Sequence, residues 1–287
     1  MTKNSAENIL RPKFFSQFIG QQKVKRKLEL YCEAAKKRGE PIDHILLSGP
    51  PGLGKTTLAN VIADALGVNI FATSGPAIDK KGDLAGLLTN LKEGDILFID
   101  EIHRLHISVE ETLYSAMEDG KMDVVMGEGP HARSIRIGLK PFSLIGATTR
   151  SGLLSDPLRD RFGIIERLEY YDSEALTEIV VNAANKLGYA IDAVSAAEIG
   201  KRSRGTPRIA LRLTQRVRDY LTIADKDKAD IDLVRNALDD QGVDSAGLDS
   251  FCINCKVCEN ACPPEAIFNE KKTVRGVKKW YVDFDKC

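Results

Sequence analysis

The chain has 287 residues, of which 43% are hydrophobic and 29% are charged, which is typical of a soluble globular protein with about two domains. Basic and acidic residues number 41 each, so a globally basic surface for nucleic acid is excluded and any DNA contact needs a local patch. The sequence shows neither the apolar core of a signal peptide nor a run long enough to span a membrane. We therefore expect a cytoplasmic protein with no membrane contact.

Residues 21–37 form the first predicted helix. Val24, Leu28 and Cys32 recur on one face at helical spacing, so we interpret Cys32 as a core residue without a chemical function. The other five cysteines lie beyond residue 250, which indicates that the C-terminal part of the chain differs chemically from the rest.

Residues 44–66 predict a buried strand, a glycine-rich loop and an amphipathic helix, in that order. The loop, residues 49–56, matches the phosphate-binding pattern G-x-x-x-x-G-K-[ST]. In such a loop the backbone N–H groups surround phosphate oxygens, Lys55 reaches the β- and γ-phosphates, and the Thr56 hydroxyl is placed to ligate Mg²⁺. The alternative is a glycine-rich turn with a chance lysine.

A second strand is predicted at residues 69–72, and a continuous apolar run at 95–100 then ends in Asp100 and Glu101. Continuous apolar strands that alternate with helices indicate a parallel sheet covered on both faces. Asp100 can hold Mg²⁺, and Glu101 can orient the water that attacks the γ-phosphate. Two acids could instead simply begin a loop, but together with the phosphate loop they predict ATP hydrolysis.

His103 and His106 follow these acids and raise the question of a zinc site. Their spacing fits no common zinc pattern, so we interpret both as loop or helix-cap residues. A β-hairpin is predicted over residues 122–139, with apolar residues that either join the core or form a docking surface. A further buried strand, residues 142–147, ends at Thr148, where a polar side chain can sense the γ-phosphate.

The motifs GPPGLGKTTLAN, LFIDEIHRL, MGEGPHARSIRI, IGATTRSGLLSDPLRDRFGI and RSRGTPRIA resemble those of the RuvB family, AAA+ ATPases of Holliday-junction branch migration. The resemblance covers residues 10–247. It implies an ATP-driven DNA motor of recombination and repair that acts as a hexameric ring on Holliday-junction DNA together with RuvA. The cofactors it implies are ATP with Mg²⁺.

The resemblance also implies the roles of individual residues. Leu10, Arg11 and Tyr171 contact the adenine side of ATP, whereas the phosphates and Mg²⁺ are held by Gly52, Gly54, Lys55, Thr56 and Thr57. Asp100 and Glu101 carry out hydrolysis. The first sensor is Thr148, the second sensor is Arg208, and Arg161 is the arginine finger that reaches the neighbouring subunit. Ile135 and Ile137 match positions that dock onto RuvA.

Residues 172–241 are predicted to be helical and to form a small lid on which Arg208 would couple nucleotide state to domain angle. The arginines in this region could instead form a solvated helix face with incidental DNA affinity. We prefer that interpretation for five of them: Arg202, Arg204, Arg212, Arg216 and Arg218. Arg208 is the exception.

The resemblance stops near Asp249, where the RuvB family continues into a winged-helix DNA-binding domain. The cysteines that follow fit the bacterial ferredoxin spacing C-x-x-C-x-x-C-x-x-x-C-P, and they predict ligands of a [4Fe–4S] cluster: Cys252, Cys255, Cys258 and Cys262. The segment resembles part of the twin-cluster ferredoxin module of reductive dehalogenases. Because a second cysteine motif would begin only at Cys287, the cluster lacks its usual fourth ligand. We therefore expect less than one stable cluster per chain unless Cys287 or a second chain supplies that ligand.

The sequence therefore predicts an α/β fold, a P-loop NTPase of the AAA+ type with a parallel sheet. The expected domains are a large ATPase domain at 1–171, a helical lid at 172–247 and a truncated ferredoxin-like segment at 248–287. The preferred function is the ATP-dependent branch-migration motor. The alternatives are a fusion product that hydrolyses ATP without branch migration, an iron–sulfur electron carrier with an attached ATPase, and a clamp-loader-like remodeller.

Overall fold

A computed structural model of the chain describes residues 9–126, 133–243, 267–274 and 277–282. The strands, in chain order, are β1 (Ile45–Ser48), β2 (Ile70–Ser74), β3 (Ile96–Asp100), β4 (Lys121–Met126), β5 (Arg133–Gly138), β6 (Ser143–Thr148), β7 (Ile164–Arg167), β8 (Ala190–Ile191), β9 (Lys228–Ala229), β10 (Ile267–Val274) and β11 (Val277–Val282). The α-helices are α1 (Gln22–Arg38), α2 (Lys55–Leu66), α3 (Lys81–Thr89), α4 (Ile107–Asp119), α5 (Asp156–Arg159), α6 (Ser173–Leu187), α7 (Ala193–Arg202), α8 (Pro207–Ala224) and α9 (Ile231–Asp240).

Five parallel strands form the central sheet in the order β2-β3-β6-β1-β7. Ser48 at the end of β1 pairs in register with Thr148 at the end of β6, and Asp100 ends β3. Because all five strands run the same way, the loops that follow β1, β3 and β6 leave the sheet at one edge. The predicted phosphate loop, acidic pair and sensor therefore meet at this edge.

The sheet is buried on both faces, as its continuous apolar strands predict. Successive residues of β3 alternate between two core clusters: Phe98 packs on one face, and Leu97 and Ile99 pack on the other. Helices α1 and α2 cover the face that contains Phe98, while α3 and α4 cover the opposite face. The predicted parallel α/β sheet is thus confirmed.

The helical region after residue 171 contains α6 to α9 and the short parallel pair β8–β9. Three of its helices begin at an aspartate whose side chain accepts a backbone N–H three residues on: Asp172, Asp192 and Asp230. Such caps satisfy otherwise unpaired N–H groups and fix where each helix starts. Leu176 and Val180 of α6 are buried in the same core cluster as residues of α1 and α2.

The prediction that Arg202 lies on a solvated helix face is wrong. Its side chain is 5% exposed and forms ion pairs with Glu198 at 2.7 Å and Asp239 at 2.6 Å. It also donates to the carbonyl oxygen of Val243 at 2.9 Å. A buried guanidinium requires such partners, so Arg202 joins α7 to the end of α9.

The hairpin predicted at residues 122–139 is present as the antiparallel pair β4–β5. The sequence did not predict α3 or the edge strand β7, whose residues alternate between buried and exposed. In the C-terminal segment, β10 pairs with β11 in an antiparallel hairpin. Across the described ranges, none of the helices combines the length and the apolar character that crossing a bilayer requires.

Candidate functional site

The phosphate loop between β1 and α2 is packed too closely to accept side chains at two of its glycines. Gly49 has a φ of 133°, and a Cβ built there would lie 2.4 Å from the carbonyl oxygen of Leu168. Gly52 has a φ of 82°, and its Cβ would lie 2.8 Å from the Thr206 Cγ2 atom and 3.1 Å from the Arg208 Cβ atom. The loop backbone is therefore held between the end of β7 and the start of α8, and only glycine fits both contacts.

Lys55 begins α2 and is 7% exposed. Its ammonium group donates to the carbonyl oxygens of Gly49 at 2.7 Å and Pro50 at 2.9 Å. Burial lowers the pKa of Lys55, and the nearby carboxylates of Asp100 and Glu101 oppose that effect. Its present partners are neutral carbonyls, so an anion placed beside the loop would be a better partner for this cation.

A cavity of about 520 Å³ opens in front of this loop. It brings together the phosphate loop, the ends of β3 and β6 and the first two turns of α8. The predicted site residues along its wall are Leu10, Arg11, Gly52, Gly54, Lys55, Thr56, Thr57, Asp100, Glu101 and Arg208. One cavity therefore contains glycine-rich backbone, four cationic side chains, three threonine hydroxyls and two carboxylates.

A second cavity of about 450 Å³ shares Gly54 and Thr57 with the first, so the two form one cleft. Its wall includes Tyr171 and Leu10, two of the three residues predicted to contact adenine. Leu10 lines both cavities, whereas Arg11 lines only the first. The Tyr171 hydroxyl donates to the carbonyl oxygen of Leu53 at 3.3 Å, and burial raises its pKa. This mainly apolar half of the cleft fits a flat aromatic base.

The acidic pair lies at the strand edge as predicted. Glu101 adopts a left-handed backbone conformation, with φ 50° and ψ 44°, and its N–H donates to the Asp100 Oδ1 atom at 2.9 Å. The Glu101 Oε2 atom lies 3.3 Å from His103 Nε2 and 3.3 Å from the hydroxyl of Thr149. Glu101, the candidate for activating water, is therefore held from two sides: by His103 in the turn after β3 and by Thr149 after β6.

Thr148, the predicted sensor, is fully buried and does not line the cleft. Its hydroxyl contacts His103 Nδ1 at 2.8 Å and accepts the Arg150 N–H at 3.0 Å. Thr149, the next residue, lines the cavity and contacts Glu101. Successive side chains at the end of a strand point to opposite sides, so only one of the two threonines can face the phosphates.

Arg161 lies outside the lining of both cavities and is held by its own subunit. Its guanidinium forms an ion pair with Glu118 at 3.0 Å, donates to the carbonyl oxygen of Pro157 at 2.6 Å and stacks 4.5 Å above the Tyr114 ring. The Nε atom is buried without a partner among the described residues. Arg161 is therefore not part of the cleft of its own chain.

The remaining predicted residues lie away from the cleft. Ile135 on β5 is 46% exposed, whereas Ile137 packs partly against the core. His106 accepts the Ser108 N–H and so caps α4, which confirms its interpretation as a helix cap. Cys32 is buried, and burial raises the pKa of its thiol to about 12, as expected of an inert core residue. The four predicted cluster ligands lie outside the described residues: Cys252, Cys255, Cys258 and Cys262.

Sequence reasoning missed four residues of the site: His103, Thr149, Arg212 and Gln215. Arg212 and Gln215 follow Arg208 at helical spacing on α8, so the spacing i, i+4, i+7 could have placed them on the same face as the second sensor. His103 lies within the quoted motif LFIDEIHRL, but its contact with Thr148 at the end of β6 joins residues far apart in the sequence and could not be predicted from it.

Comparison with known proteins identifies relatives over most of the chain. Residues 10–168 match the family described as the Holliday junction DNA helicase RuvB P-loop domain, and residues 171–244 match the RuvB AAA lid domain. The RuvB subunit of the Holliday junction branch migration complex from Thermotoga maritima is 56% identical over 248 residues, which cover 86% of this chain and 74% of that protein. The Fervidobacterium nodosum subunit is 57% identical over 242 residues, covering 84% and 70% of the two chains.

Solved structures agree with this match. A structure described as the Thermotoga maritima RuvB Holliday junction branch migration motor superposes with a TM-score of 0.77 at 53% identity, covering 85% of this chain and 76% of that one. The predicted AAA+ P-loop fold with a helical lid is thereby confirmed.

The contact between Gly52 and the lid yields a test. We expect Gly52→Ala to weaken binding of a fluorescent ATP analogue by about tenfold or more, because the added Cβ would collide with Thr206 and Arg208. Gly67→Ala is the matched control, since Gly67 has a φ of 74° but a Cβ there would meet nothing within 4 Å. Both variants carry the strain of a positive φ, so equal affinities in the two would contradict a steric role for the lid contact.

Proposed function

Because the chain belongs to the RuvB family, we propose that it hydrolyses ATP to drive branch migration of Holliday junctions in DNA recombination and repair. The observation that carries this proposal is the single cleft in which Lys55, the pair Asp100–Glu101 and the lid residue Arg208 converge. A site on both the sheet and the lid changes shape when the lid moves, so hydrolysis there can be coupled to movement.

In the proposed reaction, Lys55 leaves the carbonyls of Gly49 and Pro50 and pairs with the β- and γ-phosphates of ATP. Glu101 orients a water molecule whose oxygen attacks the γ-phosphorus, and it accepts the proton that the water loses. The bond between the γ-phosphorus and the bridging oxygen breaks, which gives ADP and phosphate.

The chain also fits a magnesium ion. Thr56 and Asp100 line the same cavity as Lys55, and both offer the oxygen ligands that Mg²⁺ prefers. When bound, Mg²⁺ neutralises charge on the β- and γ-phosphates. We assign the metal contacts to Thr56 and Asp100, and the remaining phosphate contacts to Gly52, Gly54 and Thr57.

We assign the direct sensor contact to Thr149 and give Thr148 an indirect role. Thr149 faces the cleft beside Glu101, whereas Thr148 is fully buried behind His103. The predicted second sensor, Arg208, keeps its assignment, because its side chain lines the phosphate cavity from the lid. We assign the base contacts to Leu10 and Tyr171, and we assign Arg11 to the phosphate side of the cleft because it lines only the cavity that contains Lys55.

Arg161 is proposed to act in trans, on the nucleotide of the next subunit in a hexameric ring. Support comes from its position outside its own cleft and from a guanidinium that Glu118 and Tyr114 orient. An arginine supplied by a neighbour places positive charge on the γ-phosphate only when the ring is assembled.

We further propose the division into a large domain at 1–171, a lid at 172–247 and a distinct segment at 248–287. The proposed partners are junction DNA and RuvA, with Ile135 and Ile137 on the β4–β5 hairpin as the docking residues for RuvA. The exposure of Ile135 supports this surface. The proposed location is the cytoplasm.

Two substitutions separate nucleotide binding from hydrolysis. We expect Lys55→Ala to weaken ATP binding by more than tenfold, since it removes the cation that pairs with the phosphates. Glu101→Gln should bind ATP as tightly as wild type but turn it over at a small fraction of the rate, because the amide cannot accept the proton of the water. Calorimetric titration and a phosphate-release assay measure the two effects, and equal ATP affinity in wild type and Lys55→Ala would contradict the assignment.

The trans role of Arg161 predicts complementation between inactive subunits. Arg161→Ala and Glu101→Gln should each be inactive alone, since a finger is worth roughly a thousandfold or more in rate. In an equal mixture, roughly a quarter of the sites combine an intact Glu101 with an intact neighbouring Arg161, if subunits assemble at random. ATPase activity should therefore reappear on mixing.

Arg159→Ala mixed with Glu101→Gln is the matched control, because Arg159 lies two residues from the finger and pairs with Asp156 of its own chain. This variant should be active without mixing. If the Arg161→Ala mixture stays at background while mixed rings are shown to form by mass photometry, the trans assignment is wrong.

The function itself is tested by migration of a synthetic junction with RuvA present. We expect ATP-dependent migration by the full chain and none by Lys55→Ala, because motion requires hydrolysis at the cleft. An Ile135→Asp variant should keep its basal ATPase rate and lose migration if the hairpin docks RuvA. Hydrolysis by the wild-type chain without any migration would instead favour the ATPase-only alternative.

A further inference from the structure

His103 lies between the water-activating residue and the end of a neighbouring strand. It belongs to the 3-10 turn Ile102–Arg104 that follows β3, and its side chain is only 6% exposed. Its Nε2 atom lies 3.3 Å from Glu101 Oε2, and its Nδ1 atom lies 2.8 Å from the Thr148 hydroxyl. Both ring nitrogens are therefore occupied, which leaves neither free to bind a metal ion.

The hydrogen bonds around Thr148 determine which nitrogen carries the proton. Thr148 is fully buried, and its hydroxyl oxygen already accepts the Arg150 N–H at 3.0 Å. The hydroxyl hydrogen needs an acceptor, and among the described residues His103 Nδ1 is the atom in position to accept it. The proton of a neutral ring then lies on Nε2, where it points at the Glu101 carboxylate.

The backbone of Glu101 has little freedom to move. Its φ of 50° is left-handed, and a Cβ built on Gly75 would lie 2.5 Å from the Glu101 carbonyl oxygen. Because the backbone is fixed by this close packing, the direction of the carboxylate depends on what its side-chain oxygens contact. His103 contacts Oε2, while Oε1 has only a 3.5 Å contact with Thr149.

We propose that His103 is a positioning residue for ATP hydrolysis: its Nε2–H holds one oxygen of Glu101, so that the other oxygen faces the attacking water. This inference rests on the proposed hydrolysis at the cleft. The relay runs from the backbone of Arg150 through Thr148 and His103 to Glu101, so it ties the carboxylate to the end of β6. A shift of β6 on nucleotide binding would reach Glu101 through this chain of hydrogen bonds.

Two substitutions test the contacts of the two ring nitrogens of His103 separately. In His103→Gln the side-chain amide nitrogen reaches about as far as Nε2, so it keeps a donor for Glu101. In His103→Asn the shorter amide reaches about as far as Nδ1, so it keeps the contact with Thr148 and loses the one with Glu101. His103→Ala loses both contacts.

We expect His103→Asn and His103→Ala to lower kcat by about ten- to a hundredfold, because the Glu101 carboxylate would no longer be oriented toward the attacking water. ATP affinity should stay within about twofold of wild type, because His103 does not line the phosphate cavity. His103→Gln should recover most of the lost kcat. Steady-state ATPase kinetics and titration of a fluorescent ATP analogue on the full chain measure both quantities.

His106→Asn is the matched control, since His106 lies in the same loop and only caps α4, a role that asparagine performs well. It should leave kcat unchanged. A further measurement uses the Glu101→Gln background, in which His103→Asn should cause no further loss of kcat, because the two residues act as a unit.

The proposal is overturned if His103→Ala hydrolyses ATP at the wild-type rate, if His103→Gln is as slow as His103→Ala, or if affinity falls in step with kcat. A purely structural role is recognised by a lowered melting temperature with parallel losses of binding and turnover. Failure of the proposed function is distinguishable from these outcomes, because wild type and Glu101→Gln would then turn over ATP equally whatever stands at position 103.

Discussion

The contact between the phosphate loop and the first turn of α8 is the constraint on which the site depends. The Arg208 N–H donates to the carbonyl oxygen of Gly52 at 3.3 Å, and the missing side chain of Gly52 makes room for Thr206. Tyr171 adds a second connection, since its hydroxyl bonds Leu53 and its N–H bonds the carbonyl oxygen of Gly205 at 2.9 Å. A ligand that enters the loop therefore acts on the sheet and on the helical region at once.

The sheet and the phosphate loop could be predicted from the sequence, because both depend on patterns of neighbouring residues. Continuous apolar strands and a glycine-rich turn report burial and backbone geometry directly. Strand β7 was not predicted because it is an edge strand without a continuous apolar run: Ile164 and Glu166 are buried, whereas Ile165 is exposed. Helix α3 escaped because its nine residues lack a strong apolar face, and only Leu84 and Leu88 are buried.

Side-chain contacts that cross between elements could not be predicted in the same way. Which of Thr148 and Thr149 faces the cleft depends on the side of the sheet to which each side chain points where β6 ends. Because neighbouring residues of a strand point to opposite sides, an error of one residue in the predicted strand end selects the wrong threonine. Arg202 looks like its exposed neighbours in sequence, but its partner Asp239 lies 37 residues away on α9. His103 was read as a loop residue because Thr148 lies 45 residues further along the chain.

Lys55 inside the cleft and Arg161 outside it differ in how firmly they are held, and this difference matters for the ring mechanism proposed above. Lys55 is bound by neutral carbonyls, which release it at little cost when a phosphate arrives. Arg161 is bound by the carboxylate of Glu118 and the Tyr114 ring, so a neighbour's phosphate must replace a charged partner. Nucleotide binding within one subunit is therefore the easier step, and engagement of the finger is the more demanding one. In the proposed ring, ATP hydrolysis would therefore follow only after the neighbouring subunit has brought its Arg161 to the γ-phosphate.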